Sequence, residues 1–196
     1  MKKYKIILCD CPWSYRDNKG NLPKLGGKTY PTMTLEEIKS LNVSAIADEN
    51  SLLFFWATMP LLQEALSVIS TWGFQYTTCA FNWVKLNPSV KSVLFFTIKD
   101  IYSGLGHWVN GNAELCLLGK RGHPKRYEKN VKQILFAPRS RHSAKPEEVR
   151  RRIVRVAGDL PRIELFAREK ILGWDSVGFE IDGCDIRESL DKLIAQ

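Results

Sequence analysis

The sequence has no CxxC pair, no cluster of histidines and no uninterrupted apolar stretch of membrane-spanning length. Three histidines are scattered along its 196 residues, and its five cysteines, an odd number, are Cys9, Cys11, Cys79, Cys116 and Cys184. Neither a disulfide framework nor a zinc site is indicated, so we predict no metal and mostly buried, structural cysteines. We expect no membrane span, and the basic start turns acidic too soon for a secretory signal. These absences favour a cytoplasmic protein.

The chain has an ordinary globular composition and an uneven distribution of charge. Hydrophobic residues make up 44% and charged residues 26%, and the length predicts a single domain over residues 1–196. The formal net charge is +8, and residues 120–155 contain 13 Lys and Arg against 3 Asp and Glu, a local charge of +10. A basic region on a nearly neutral body predicts a polyanionic partner, although a solvated helix face and loop is the alternative.

Short apolar runs alternate with helical patterns, which predicts an α/β fold. Strands are predicted over residues 5–10, 51–57, 76–85, 113–118, 134–137 and 162–167. Helices are predicted after a capping box at Thr34 and Glu37, and over residues 60–72, 146–157 and 185–194. Residues 14–33 and 86–112 resist assignment. Both segments follow predicted strands, so we expect them to lie over a cleft at the carboxyl ends of the strands.

The sequence Asp10-Cys11-Pro12-Trp13 follows the first predicted strand and carries a recognisable chemistry. An exocyclic adenine amine is a weak nucleophile because its lone pair is delocalised into the ring. A carboxylate and a neighbouring backbone carbonyl can each accept one of its N–H bonds, which turns the lone pair towards an electrophile. A proline stiffens such a turn, and an aromatic ring gives an extruded base a surface on which to stack. The alternative is a plain strand-end turn with a capping Asp10 and a core Trp13.

The tetrapeptide resembles the DPPW motif of adenine-N6 methyltransferases related to the catalytic 70-kDa subunit that methylates messenger RNA, a family with compact bacterial and phage relatives. Four further segments match in order: FFWATMPLLQEAL with WGF and FNWVK, then GLGHWVNGNAELCLLGKRG, APRSRHSAKPEEV, and RIELFAR with GWDSVGFEID. The resemblance implies a Rossmann-like, S-adenosylmethionine-dependent methyltransferase fold with a mostly parallel, seven-stranded sheet. It also implies the permuted order, in which the catalytic motif precedes the cofactor segment.

The resemblance also implies roles for individual residues. Asp10 to Trp13 would form the catalytic motif, with Cys11 in place of the first proline supplying its backbone carbonyl. The cofactor would contact Asp10, Lys145, Glu164, Phe166, Arg168, Phe179 and Glu180, the last two departing from the Asn and Gln common in relatives. The substrate would contact Trp13, His107, Trp108, Asn110, Glu114 and Lys145. For Trp108, a lid over the substrate and a packed structural role remain equally open.

Together these features predict an S-adenosylmethionine-dependent enzyme that methylates the N6 amine of adenine in nucleic acid, with DNA favoured over RNA. A catalytically silent nucleic-acid-binding subunit is the alternative from another class, and an enzyme acting on the cytosine amine is a third. Eukaryotic members of the family work as heterodimers, so a homodimer or a heterodimer partner stays open.

Overall fold

A computed structural model of the chain describes residues 2–14, 32–106, 108–140 and 144–196. Its strands are β1 (Tyr4–Cys9), β2 (Ala47–Ala57), β3 (Gln75–Leu86), β4 (Ala113–Arg121), β5 (Ile134–Pro138), β6 (Arg162–Leu165) and β7 (Asp175–Val177). They join one sheet in the order β5-β3-β4-β2-β1-β6-β7. Among the strands of the described residues only β4 runs antiparallel to its neighbours, so the predicted mostly parallel, seven-stranded sheet is confirmed.

Six helices are present in the described part of the chain: α1 (Leu35–Lys39), α2 (Val43–Ile46), α3 (Leu62–Thr71), α4 (Glu147–Ala157), α5 (Phe179–Asp182) and α6 (Ile186–Ala195). The predicted capping box is confirmed, because Thr34 caps α1 and the Glu37 side chain accepts from the Thr34 backbone. Gly158 ends α4 with φ 91°, and Asp185 caps α6. No helix among these is long and apolar enough to cross a membrane.

Alternating side chains of the strands build a core on each face of the sheet. Ile7, Leu53 and Phe55 face one side, where they pack with buried residues of α1, α2, α3 and α6. Ile6, Leu8, Phe54 and Trp56 face the other side, which α4 covers through Val149, Ile153 and Ala157. Because both faces are covered, the central strands read as continuous apolar runs, as the sequence SLLFFWA does.

Several predicted boundaries were wrong for identifiable reasons. The strand predicted over residues 51–57 begins earlier, at Ala47, because Ala47 pairs with Tyr4 of β1. The polar residues between Ala47 and the apolar run hydrogen-bond with one another, since Asp48 accepts from the Asn50 amide and from the Ser51 hydroxyl. The strand predicted over 162–167 ends at Leu165, since Phe166 turns into the left-handed region with φ 57°. The helix predicted over 60–72 starts as a 3₁₀ turn at Met59–Leu61. Most of segment 14–33 lies outside the described residues.

The sheet brings distant parts of the sequence to one edge. β1 pairs in parallel with β6, with Cys9 opposite Leu165, so the residues that follow both strands emerge side by side. β4 is reversed, and therefore its first residues lie where the parallel strands end. The described part of segment 86–112 joins the end of β3 to the start of β4, as expected for a loop at the carboxyl edge.

Candidate active site

The predicted catalytic tetrapeptide forms the turn that follows β1. The Asp10 side chain is 32% exposed, and its Oδ2 accepts a hydrogen bond of 2.6 Å from Lys145 Nζ. The Cys11 carbonyl accepts from the Trp13 amide at 3.0 Å, and the Pro12 carbonyl accepts from the Met33 amide at 2.8 Å. A carbonyl oxygen has two lone pairs. Cys11 therefore keeps the capacity to accept a second hydrogen bond.

The side chains of Cys11 and Trp13 point into the core. Trp13 is buried and meets Phe55 edge to face, with ring centroids 6.2 Å apart. Cys11 Sγ lies 3.4 Å from Cys9 Sγ, and burial raises the pKa of the Cys11 thiol. A thiol that stays protonated is a poor nucleophile, which agrees with a backbone role for Cys11. The contribution of Trp13 to an adenine pocket stays a prediction.

Four charged side chains meet beside this turn. Lys145, which precedes α4, lies 2.6 Å from Asp10 and 3.3 Å from Glu114 Oε2. The other Glu114 oxygen accepts from Lys85 Nζ near the end of β3. Glu114 reaches this place because it stands at the start of the reversed strand β4. Lys145 is thus in direct contact with both predicted carboxylates, Asp10 and Glu114. The charges alternate in sign from Asp10 through Lys145 and Glu114 to Lys85.

In this cluster, burial disfavours the charged form of each side chain, whereas its oppositely charged partners favour that form. Burial raises the pKa of Asp10, and the opposing attraction of Lys145 does not fully offset it. Burial also opposes ionisation of Glu114, but Lys145 and Lys85 together lower the pKa of Glu114. For Lys145, desolvation is outweighed by Asp10 and Glu114, which raise its pKa. Lys145 and Glu114 are therefore held as ions, while Asp10 is the group of the three whose charge is least stabilised.

The predicted cofactor residues at the end of β6 occupy a strained turn. Phe166 is buried and has φ 57°, a conformation that costs on the order of 1–3 kcal/mol and clusters at functional sites. Gly178 lies against this turn, and a Cβ on it would fall 2.8 Å from the Ala167 carbonyl oxygen. Glu164 is bound by the Arg150 guanidinium through two bonds of 2.7 and 2.8 Å. Any ligand of Glu164 must share its carboxylate with Arg150.

The remaining predicted cofactor residues lie on the far side of the same turn. Arg168 Nε is 2.6 Å from Glu180 Oε1. Burial raises the pKa of Asp10, and the charge of Arg168, like that of Lys145, opposes this rise. Phe179, the first residue of α5, is 53% exposed and so remains available for contact. Arg168 and Glu180 are therefore brought together, and Arg168 links them to Asp10.

The described tip of the predicted substrate loop is exposed. Trp108 is 99% exposed, so the packed structural role left open for it is wrong. Its role as a lid stays a prediction. Asn110 is exposed as well, and Gly104 pairs with Gly111 at the base of the loop. His107 lies outside the described residues.

The basic segment, residues 120–155, is only partly available to a polyanion. Arg150 binds Glu164, Arg152 binds Glu148 and two backbone carbonyls, and Arg155 binds Glu128. Arg151 and Arg155, four residues apart on α4, are each paired with an acidic residue of the same segment, Glu148 and Glu128. The loop between β4 and β5 carries exposed cations that have no side-chain partner among the described residues, namely Lys125, Arg126, Lys129 and Lys132.

Four residues of the site were missed from the sequence. Lys85 and Arg150 each bind a predicted site carboxylate. Trp56 and Trp83 lie beneath Lys145 and Lys85, with ammonium-to-centroid distances of 5.5 and 5.3 Å. The available signal for Lys85 was a lysine among the buried and half-buried residues that end β3. In the part of the chain that is described, no three His, Cys, Asp or Glu side chains are grouped to hold a metal ion.

Comparison with known proteins finds relatives that are methyltransferases. A type II methyltransferase M.MunI of Mycoplasma sp is 32% identical over 92% of this chain and 78% of its own length. The human N(6)-adenosine-methyltransferase catalytic subunit METTL3 is 27% identical over 92% of this chain, which spans only 29% of that relative. The Drosophila melanogaster N(6)-adenosine-methyltransferase MT-A70-like protein is 28% identical over 99% of this chain and 29% of its own length. The family model MT-A70 matches residues 4–180, and the chain therefore belongs to the MT-A70 family of methyltransferases.

Proposed function

We propose that this protein transfers a methyl group from S-adenosylmethionine to the N6 amine of adenine in a nucleic acid, with DNA as the favoured substrate. The observation that carries the proposal is the placement of Asp10, which lies at the carboxyl edge of the sheet and is held by Lys145. One Asp10 oxygen receives Lys145, and the second has no hydrogen-bond partner among the described residues. It is therefore available to an amine.

The chemistry needs acceptors for the amine hydrogens and no covalent enzyme intermediate. Asp10 would accept one N–H of the adenine amine, and the Cys11 carbonyl would accept the other. The nitrogen lone pair would form the new N–C bond as the bond between the methyl carbon and the sulfonium sulfur breaks and a neutral thioether leaves, while the negative charge of Asp10 would stabilise the positive charge that develops on nitrogen. The methylated amine would then lose its surplus proton to solvent, so no strong base is required.

Residues at the end of β6 and after it fit the proposed cofactor. Glu164 and Arg168 supply charged hydrogen-bonding groups for hydroxyl and carboxylate functions, and Phe179 offers an exposed ring. The close approach of Gly178 to the backbone of Phe166 and Ala167 keeps this turn compact. When bound, S-adenosylmethionine would supply an electrophilic methyl group on a sulfonium. Glu164, Phe166, Arg168, Phe179 and Glu180 would hold it beside Asp10 and Lys145.

The relatives support a nucleic acid as substrate, since METTL3 and the Drosophila protein are named N(6)-adenosine-methyltransferases. The extent of the match favours DNA for this chain, since it spans 78% of the Mycoplasma type II methyltransferase but less than a third of METTL3. The exposed residues Lys125, Arg126 and Lys129 would contribute phosphate contacts.

The catalytically silent alternative is disfavoured by the intact contact of Asp10, Lys145 and Glu114. The deciding experiment incubates the purified protein with methyl-labelled S-adenosylmethionine and either DNA or RNA, followed by mass spectrometry of the nucleosides. We expect N6-methyladenine from DNA. Label in N4-methylcytosine would favour the cytosine alternative, label from RNA alone would overturn the DNA assignment, and no label in any nucleic acid would overturn the proposed activity.

A further inference from the structure

Lys85 belongs to the same charged cluster but occupies none of the positions expected to touch substrate or cofactor. Its side chain is only 18% exposed, and its Nζ donates to Glu114 Oε1. The opposite oxygen of Glu114 lies 3.3 Å from Lys145, whereas Asp10 lies 2.6 Å from Lys145. Lys145 thus stands between two carboxylates and is closer to Asp10.

We propose that Lys85 is a positioning residue for the methyl transfer: by binding Glu114 from the far side, it keeps Lys145 on Asp10. The proposal rests on the function proposed above, because it assumes that Asp10 is the acceptor of the target amine. Lys85 itself touches neither Asp10 nor Lys145 in the described contacts. It acts through Glu114.

The charge balance explains why a second lysine is needed. With Lys85 present, the four groups sum to zero, and Glu114 has a cation on each side. Without Lys85, two carboxylates compete for Lys145, and the cluster carries an uncompensated negative charge. Lys145 is then drawn towards Glu114, and Asp10 loses part of its hydrogen bond. Interactions of this kind are strong where water is largely excluded.

Two tryptophans restrict where the ammonium groups can go. Lys85 Nζ lies 5.3 Å from the centroid of Trp83, and Lys145 Nζ lies 5.5 Å from that of Trp56. The two rings pack edge to face, with centroids 6.4 Å apart. Cations over aromatic faces are held at defined positions. The rings therefore form one support under both lysines, which favours a fixed spacing between them.

Asp10 is the group whose titration should report a change at Lys85. Among the described residues it is faced by Lys145 before α4, Glu114 on β4 and Arg168 after β6, with the thiols of Cys9, Cys11 and Cys116 nearby. Burial already raises the pKa of Asp10. Loss of a positive charge from the cluster should raise it further, so the ionised form that binds the amine appears only at higher pH.

The test compares Lys85→Met and Lys85→Gln, which remove the charge, with Lys85→Arg, which keeps it. Lys91→Met in the exposed loop is the matched control. The kcat and the KM for S-adenosylmethionine are measured from about pH 5.5 to about pH 9.5. We expect both neutral variants to lose about tenfold in kcat near neutral pH and to move the acid limb of the profile up by about one unit. The KM should change less than twofold, and Lys85→Arg should recover most of the wild-type kcat.

A second readout does not depend on turnover. The carboxyl carbon of Asp10, assigned in ¹³C-labelled protein by its absence from Asp10→Asn, should titrate at higher pH in Lys85→Gln than in the wild type. An unshifted Asp10 titration in a folded Lys85→Gln protein would overturn the positioning role, as would a kcat loss that is equal at every pH. A wild-type protein that methylates nothing would instead overturn the proposed function, and the carbon titration would still decide the role of Lys85.

Discussion

Replacing Asp10 with asparagine separates the charge of this side chain from its shape. The wild-type carboxylate gives one oxygen to Lys145, at 2.6 Å, and has another for the amine. Asparagine has one oxygen and one NH₂ group. If its oxygen stays on Lys145, the NH₂ faces the N–H of the target amine, and two donors meet. If the amide is reversed, the same conflict arises with the Lys145 ammonium. One acceptor cannot serve both donors.

The size of the effect follows from this conflict and from the lost charge. Removal of one preorganised group that stabilises developing charge costs about 3–4 kcal/mol in the transition state, a rate loss of roughly 100- to 1000-fold. The fold should tolerate the change. Burial already disfavours the Asp10 carboxylate, and Lys145 retains Glu114 as a partner. We therefore expect the free energy of unfolding to change by less than about 2 kcal/mol.

The assay is steady-state methyl transfer at saturating cofactor and substrate, with thermal unfolding measured in parallel. Asp175→Asn is the matched control. Asp175 also has partners, Lys2 and Tyr4, but it is the first residue of β7. It therefore lies at the amino ends of the parallel strands, whereas Asp10 lies at their carboxyl ends. The control should keep its turnover. An Asp10→Asn protein with turnover within tenfold of the wild type would refute the role given to Asp10.

Three further substitutions test other parts of the site. Glu164→Ala should weaken S-adenosylmethionine binding by about 1–3 kcal/mol in calorimetry, because charge-assisted bonds are lost; unchanged affinity would place the cofactor elsewhere. Cys11→Ala should keep turnover within a few-fold, since only the backbone carbonyl of that residue is used, and an inactive but folded variant would contradict this. Changing three of the exposed loop cations, Lys125, Arg126 and Lys129, to Glu should weaken binding to many DNA sequences alike and lower the salt dependence by nearly one unit of slope per lost phosphate contact. Binding and slope equal to wild type would leave that loop a solvated surface.

Local signals made much of the fold predictable. The capping box at Thr34 and Glu37 satisfies backbone donors within four residues, so its sequence pattern is sufficient. Gly158 ends α4 for an equally local reason. By contrast, β7 has only three residues, too few to show a period, and it forms because β6 offers an edge on which to pair. Such tertiary pairing has no signature in the strand itself.

The contacts of the site also fall into those that the sequence indicated and those that depend on tertiary packing. The resemblance identified Asp10, Glu114 and Lys145, and the structure places them in contact. The pairing of Arg150 with Glu164 depends on how α4 lies over β6, which the basic segment did not reveal. That pairing is one reason why the segment's net charge overstates the charge available to phosphate. Exposure of Trp108 likewise depends on the whole loop rather than on its GHW sequence.

The reversal of β4 places both ends of the loop between β3 and β4 beside the charged cluster. Lys85 and Glu114 are 29 residues apart in the sequence, yet they bind each other, and beside them Val84 pairs with Ala113. The ion pair of Lys85 and Glu114, which belongs to the charged cluster, thus joins the two ends of the loop. Closing a longer loop adds little entropic cost. Insertions, deletions or wholesale replacement between these two anchors can therefore alter what the exposed tip contacts while the reacting groups stay in register, which makes this segment a natural place for substrate preference to diverge.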